Sequence, residues 1–238
     1  MKFAAKLLLL CAFGFTILGA ETFTEDFFKI KNSISQKKEF ITRMLPLIKK
    51  ANENIALERK IIDDFFEAFQ NSGNLESVDN KTLEVIYALA KKYNISSIQD
   101  AKAFKAKVAP VPISLALTQA AVETGWGKSR FFKEAKNAFG QWTYSTTNGL
   151  VPTQREDGKT HKIRVFGSVQ ESVNSYMLNL NRNNAYEDFR SLRFLLGDEF
   201  DGLTASSKML NYSQTREQYV NLLRSIMINN ELTKYDSL

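Results

Sequence analysis

The chain has 238 residues, of which 44% are hydrophobic and 24% charged. That is the usage of one globular domain or a small pair, and it excludes a disordered or collagen-like chain. One Cys and one His rule out a disulfide framework and a multi-Cys zinc site, and they speak against a Ser-His or Cys-His nucleophile. Carboxylates remain as the obvious catalytic resource. The formal net charge of +6 suits an anionic polymer.

Residues 1–20 read as an address. Lys2 and Lys6 open it, an apolar run follows from Leu7 to Leu18, and Gly19 and Ala20 supply small residues before Glu21. This is the layout of a secretory signal peptide, and the run is short for a spanning helix, which needs about 20 apolar residues. An uncleaved anchor is the competing reading. Cys11 lies inside the apolar run, where it fits a lipoprotein anchor poorly, and the chain after cleavage contains no Cys. Loss of Lys2 and Lys6 leaves a net charge of +4, a mild excess that matches a cell wall or acidic polysaccharide better than nucleic acid, for which no binding motif is present.

Between residues 35 and 70, Phe40, Ile41, Met44, Leu45, Ile48, Ile55, Ile62, Phe65, Phe66 and Phe69 recur at steps of three, four and seven. The spacing predicts amphipathic helix, which Pro46 is expected to kink or divide. Asn71–Asn74 is a break. Asp79 is the expected N-cap of a helix carrying Leu83, Ile86, Leu89 and Ala90, and a short helix is predicted over 98–107. Residues 21–107 are thus expected to form an N-terminal helical region that packs on the main domain, with a substrate-positioning or partner-binding arm as the alternative.

Residues 108–122 contain no charge. Pro110 and Pro112 suit a helix entry, and a helix apolar nearly all round is a buried one. Glu123 is the first charge after that stretch, and Gly125 and Gly127 are expected to end the helix. From Gln141 to Phe166 the texture turns to strand. Asn148-Gly149 and Asp157-Gly158 are turn dipeptides, and His161, Ile163 and Val165 alternate with Lys162 and Arg164. His161 reads as a structural strand residue. Helical patterning returns at 168–183, near 185–196 and at 215–229. The expected class is α+β, mostly helical, with one small β-lobe.

Glu123 is the residue that physics singles out. Apolar surroundings and the negative end of a helix both raise a carboxyl pKa, and a carboxylic acid kept protonated near neutral pH serves as a general acid. Trp126 is placed to supply an apolar wall. The bland alternative is a buried Glu paired with a neighbour such as Arg130.

LALTQAAVETGWGKSRFF at 115–132, NAFGQW at 137–142, SVNSYMLNLN at 172–181 and AYEDFRSLR at 185–193 form an ordered series. In it the chain resembles the glucosaminidase-domain family of bacterial cell-wall hydrolases (glycoside hydrolase family 73), in its Bax-like branch. The resemblance implies a lysozyme-like fold for residues 108–238, with a small β-lobe behind the N-terminal helical extension. It implies cleavage of β-1,4 bonds after N-acetylglucosamine in peptidoglycan, no cofactor or metal, and Glu123 as the general acid. Asn137, Phe139 and Gly140 match the block beside the cleft. Trp126, Trp142, Tyr144, Tyr176 and Tyr186 are candidate substrate-binding aromatics, each with plain packing as the alternative.

Many relatives place a second Glu in the β-lobe before a turn Gly. Glu156 is the candidate base here, with Asp157 beside it. Without one, the substrate's acetamido group is the alternative nucleophile. Lys128, Arg130, Lys133 and Lys136 form a possible basic rim for substrate carboxylates or, equally, a solvated helix face. The leading reading is a secreted N-acetylglucosaminidase acting on peptidoglycan glycan strands, with no nucleic acid partner and no membrane contact beyond export. The alternatives are a muramidase or lytic transglycosylase on the same scaffold, and a non-catalytic wall-binding module.

Overall fold

The structure is a computed structural model that describes residues 22–144, 149–151 and 162–237. A single turn, α1 (Glu25–Phe28), precedes α2 (Ser33–Ser72), which begins where Asn32 Oδ1 accepts the amides of Ile34 and Ser35. It ends on Gly73 in the left-handed conformation at φ 66°. The predicted apolar stripe is the buried one: Phe40, Met44, Ile48, Ile55, Ile62 and Phe65 all face inward. Pro46 does not divide this helix. Met44 and Ile48 on either side of it are fully buried, so tertiary packing carries the helix through the hydrogen bond that proline cannot make.

Next come α3 (Asn80–Lys92) and α4 (Ala101–Lys107), capped by Asp79 on the amide of Thr82 and by Asp100 on that of Ala103. The central helix α5 (Ile113–Thr124) is buried around nearly its whole circumference, including the polar residues Ser114, Thr118, Gln119 and Thr124. It is enclosed by α2, α9 (Gly202–Ser206), α10 (Glu217–Asn229) and a C-terminal turn at Leu232–Tyr235. Burying those polar groups requires partners. Thr118 and Thr124 donate to the carbonyls one turn back, and Ser114 donates to Asp236 at 2.6 Å.

After α6 (Arg130–Ala135), three short strands form the predicted β-lobe: β1 (Trp142–Thr143), β2 (Gly149–Leu150) and β3 (Lys162–Arg164). They pair antiparallel in the order β1-β3-β2, with Trp142 and Leu150 both opposite Ile163. Two helices, α7 (Val169–Arg182) and α8 (Glu187–Leu196), follow, with α7 lying along α2. The short α9 had no periodic signal to predict it. The architecture is mostly helical α+β of the lysozyme-like kind, and one hydrophobic cluster runs from Phe23 to Leu232. No helix among the described residues is long and apolar enough to cross a membrane.

Arg193 is buried and meets no carboxylate among the described residues. Its guanidinium instead donates to the carbonyls of Ala106, Ala109 and Pro110 and to Asn181 Oδ1, all within 2.9 Å. Burial lowers its pKa to about 9. It pins the segment that leads into α5 against α7 and α8.

Candidate active site

Glu123 occupies the last turn of α5, half-buried. Tyr219 of α10 donates its hydroxyl to Oε1 at 2.8 Å. Burial raises the carboxyl pKa above its ordinary value, and the Tyr219 hydrogen bond opposes that rise. No cation among the described residues pairs with it, and Arg130 pairs instead with Glu134 at 3.8 Å.

Behind the carboxylate runs a directed chain of hydrogen bonds. Tyr176 donates to Gln119 Oε1 at 2.7 Å, Gln119 Nε2 donates to the Tyr219 oxygen at 3.0 Å, and Tyr219 donates to Glu123. Gln119 and Glu123 lie four residues apart and so share one helix face. Gln119 and Tyr176 are fully buried, so each donor in this chain has one acceptor and little freedom to choose another. Tyr212 stacks on Tyr219 at 5.7 Å and donates to the carbonyl of Phe139 at 2.9 Å. Phe139 in turn stacks on Tyr176 at 3.9 Å.

The Asn137–Gln141 loop supplies the opposite side. Asn137 Nδ2 donates to the carbonyls of Gln141 and Arg164, and its Oδ1 accepts the amides of Phe139 and Gln141. That side chain closes the loop on itself and ties it to β3. Gly140 is held there at φ 62°, and a Cβ on it would lie 2.9 Å from Glu123 Oε2. Glycine is required at this position both by backbone conformation and by the approach of the carboxylate.

The predicted site residues divide by position. Phe139, Gly140, Tyr176 and Tyr186 surround Glu123, together with Asn137 as the clasp of the loop. Tyr186 is buried and has its pKa pushed up to about 12 by burial. Trp142 is exposed on β1 beside Gln141, and Tyr144 just beyond it is more exposed still. Trp126 turns toward α2: its ring meets Phe40 at 5.9 Å and sits under Lys37 Nζ at 4.9 Å. Phe27 fills the space over Gly127, where a Cβ would come within 2.6 Å of its ring. Glu156, Asp157 and His161 lie outside the described residues. Of the basic rim, Lys133 pairs with Glu25 at 3.1 Å and Lys136 donates to the carbonyl of Gly167, so these charges are spent on the fold itself.

Tyr219, Tyr212 and Gln119 were not singled out from the sequence. Gln119 carries no signal beyond its spacing from Glu123, and the tyrosines lie roughly 90–100 residues downstream of it, Tyr219 in α10 and Tyr212 in the turn before it.

A buried helix that ends on a desolvated carboxyl among tyrosines, beside a small sheet, is the arrangement of a lysozyme-like glycosidase. The family described as mannosyl-glycoprotein endo-beta-N-acetylglucosaminidase, the glucosaminidase family, matches residues 98–232, and the chain belongs to it. Among curated proteins it is similar to the protein Bax of Escherichia coli strain K12, at 28% identity over 214 residues that cover 87% of this chain and 74% of that one. It is also similar to the peptidoglycan hydrolase FlgJ of the same strain, at 30% identity over 122 residues covering 42% of this chain and 39% of FlgJ. The FlgJ of Salmonella typhimurium is 33% identical over 88 residues, covering 32% of this chain and 28% of that protein. No solved structure matches the chain significantly.

Proposed function

We propose that the chain is an exported peptidoglycan hydrolase, an N-acetylglucosaminidase that cleaves β-1,4 bonds of the glycan strand with Glu123 as general acid. The observation that carries this reading is the Glu123 carboxyl itself. It is desolvated at the end of a buried helix, held by Tyr219 on one oxygen and bordered at the other by a glycine that leaves the approach clear. The FlgJ relatives, named as peptidoglycan hydrolases, support the choice of polymer.

In this reading Glu123 gives its proton to the glycosidic oxygen as the C1–O bond breaks, and the leaving sugar departs as a neutral alcohol. Water completes the cleavage at C1, and its proton passes to a base. Glu156 is the protein's candidate for that base. The substrate's own acetamido oxygen, attacking C1 from the opposite face, is the other route. Asn137, Phe139, Gly140, Tyr176 and Tyr186 shape the cleft, while Trp142 and Tyr144 offer exposed rings on which sugars stack. Residues 1–20 serve export to the cell envelope, residues 21–107 form the helical extension, and residues 108–238 carry the chemistry.

Mass spectrometry of sacculi digested by the purified protein tests this reading. A reducing N-acetylglucosamine end supports it. A reducing muramic acid end or an anhydro-muramic end would replace it by a muramidase or a lytic transglycosylase. Binding of insoluble wall without solubilisation would make it a wall-binding module.

A further inference from the structure

Beside the cleft lies a cavity of about 620 Å³ between the β-lobe and the C-terminal end of α7, lined among others by Gln141, Trp142, Arg164, Asn179 and Arg182. Its lining residue Gln141 directly follows Gly140, which borders Glu123, so the cavity adjoins the loop beside the acid.

Its charge is one-sided. Arg164 and Arg182 both line it, and no Asp or Glu among the described residues does. Arg164 donates to Ser175 Oγ at 3.1 Å, and neither guanidinium pairs with a carboxylate among the described residues. Two unneutralised guanidiniums in one concavity repel each other and attract an anion. The rest of the lining is rich in amides, with Asn94, Asn183 and Asn184 joining Asn179. Amide side chains both donate and accept, as peptide groups do. Gln141 Oε1 is buried and lacks a hydrogen-bond partner among the described residues. That acceptor calls for an N–H, which a peptide brings and a phosphate at neutral pH does not.

A second cavity of about 580 Å³ shares Arg164, Ser175, Leu178 and Arg182 with the first and continues between α2 and α3. Its one acid, Glu58, is already bonded to Lys92 and Tyr93 at 2.6 Å each. Ile55, Ile61, Val85 and Leu89 give this part an apolar wall. The N-terminal helices therefore extend the groove away from the cleft.

We propose that this groove is a subsite for the acidic peptide branching from the glycan strand. Arg164 and Arg182 take its carboxylates, Gln141 and the asparagines its amides, and the wall between α2 and α3 its side chains. The inference deepens the reading of the cleft as that of a peptidoglycan hydrolase and rests on it.

The test is calorimetric titration of the protein with a synthetic acidic stem tetrapeptide bearing free carboxylates. Wild type and Glu123→Gln should bind it alike. Arg182→Gln, an exposed change at the end of α7 that leaves the fold intact, should weaken binding about tenfold or more, as loss of a charge-assisted contact does. Arg164→Gln should weaken it similarly, and so should amidation of the peptide's carboxylates. Absence of binding to wild type, equal binding by Arg182→Gln, or displacement by inorganic phosphate at equal concentration would each overturn the proposal. The titration needs no turnover. Failure of the hydrolase reading shows separately, as no reducing ends released from sacculi by wild type.

Discussion

Tyr219 donates to Glu123 Oε1 at 2.8 Å while accepting from Gln119 on the same helix as that acid. The phenol is thereby fixed as donor to the carboxyl, and its hydrogen bond is what keeps the Glu123 pKa from rising further. We expect Tyr219→Phe to lower kcat/KM by roughly tenfold, the scale of one hydrogen bond to a charged group. The basic limb of the pH–rate profile should also move to higher pH, because the remaining influence on the acid is burial. A limb that stays in place, or moves down, would show that Tyr219 does not tune Glu123.

Glu123→Gln should reduce wall hydrolysis by about 10²–10⁴-fold, and a loss below tenfold would remove Glu123 from the general-acid role. The same variant carries a stability signature. Below the ordinary carboxyl pKa of 4.5, Glu123 is protonated in both folded and unfolded chains and is not penalised. As pH rises through the raised folded value, the folded state must hold a desolvated charge and loses stability. Thermal unfolding should therefore find Glu123→Gln more stable than wild type at pH 7, with the difference vanishing below about pH 4.5.

Gly140→Ala puts a methyl 2.9 Å from Glu123 Oε2 and forces an L-residue to φ 62°. The backbone cost is about 1 kcal/mol. Displacement of the carboxylate should cost activity by at least about tenfold, since misplacement of a reacting group by an ångström is that expensive. Circular dichroism and steady-state kinetics on the one variant separate the two effects. An active Gly140→Ala enzyme would mean the loop yields without disturbing the acid.

Asp236, three residues from the C-terminus, accepts the Ser114 amide at 2.8 Å, its hydroxyl at 2.6 Å and the Gly202 amide at 2.9 Å. It caps the start of α5 in a way that Pro112, which supplies no side-chain acceptor, does not. We expect Asp236→Ala to lower unfolding free energy by about 1–3 kcal/mol in denaturant titration. Removal of residues 236–238 should reproduce the effect, and an unchanged midpoint would show the clamp to be idle.

Glu123 was legible because fifteen uncharged residues end on it, and a lone charge at the end of a buried helix has few physical meanings. The sheet was legible from the strand-favouring residues after Gln141, of which Ile163 is the buried one, whereas Val165 is exposed and the Asp157-Gly158 turn lies outside the described residues. What escaped was everything that depends on where distant segments meet. Tyr219 carries no local pattern different from other helix aromatics, and only the packing of α10 on α5 brings it to the acid, with Tyr212 in the turn before α10 stacked on it. Trp126 was read as a wall for Glu123 from its position three residues on. The left-handed turn through Gly125, Trp126 and Gly127 (φ 57°, 59° and 81°) sends its ring to Phe40 instead. At Pro46 the helix is not divided, because burial on both sides of it outweighs the local rule.

The turn after Glu123 rests on the N-terminus. Phe27 covers Gly127, Phe23 packs edge-on against Phe27 and Phe132 at 4.8 Å each, and both phenylalanines are buried. The margin for trimming this end of the protein is accordingly narrow. Removal of residues 1–20 would leave this aromatic plug whole, whereas loss of a few residues more would uncork the floor beneath the helix terminus that carries Glu123.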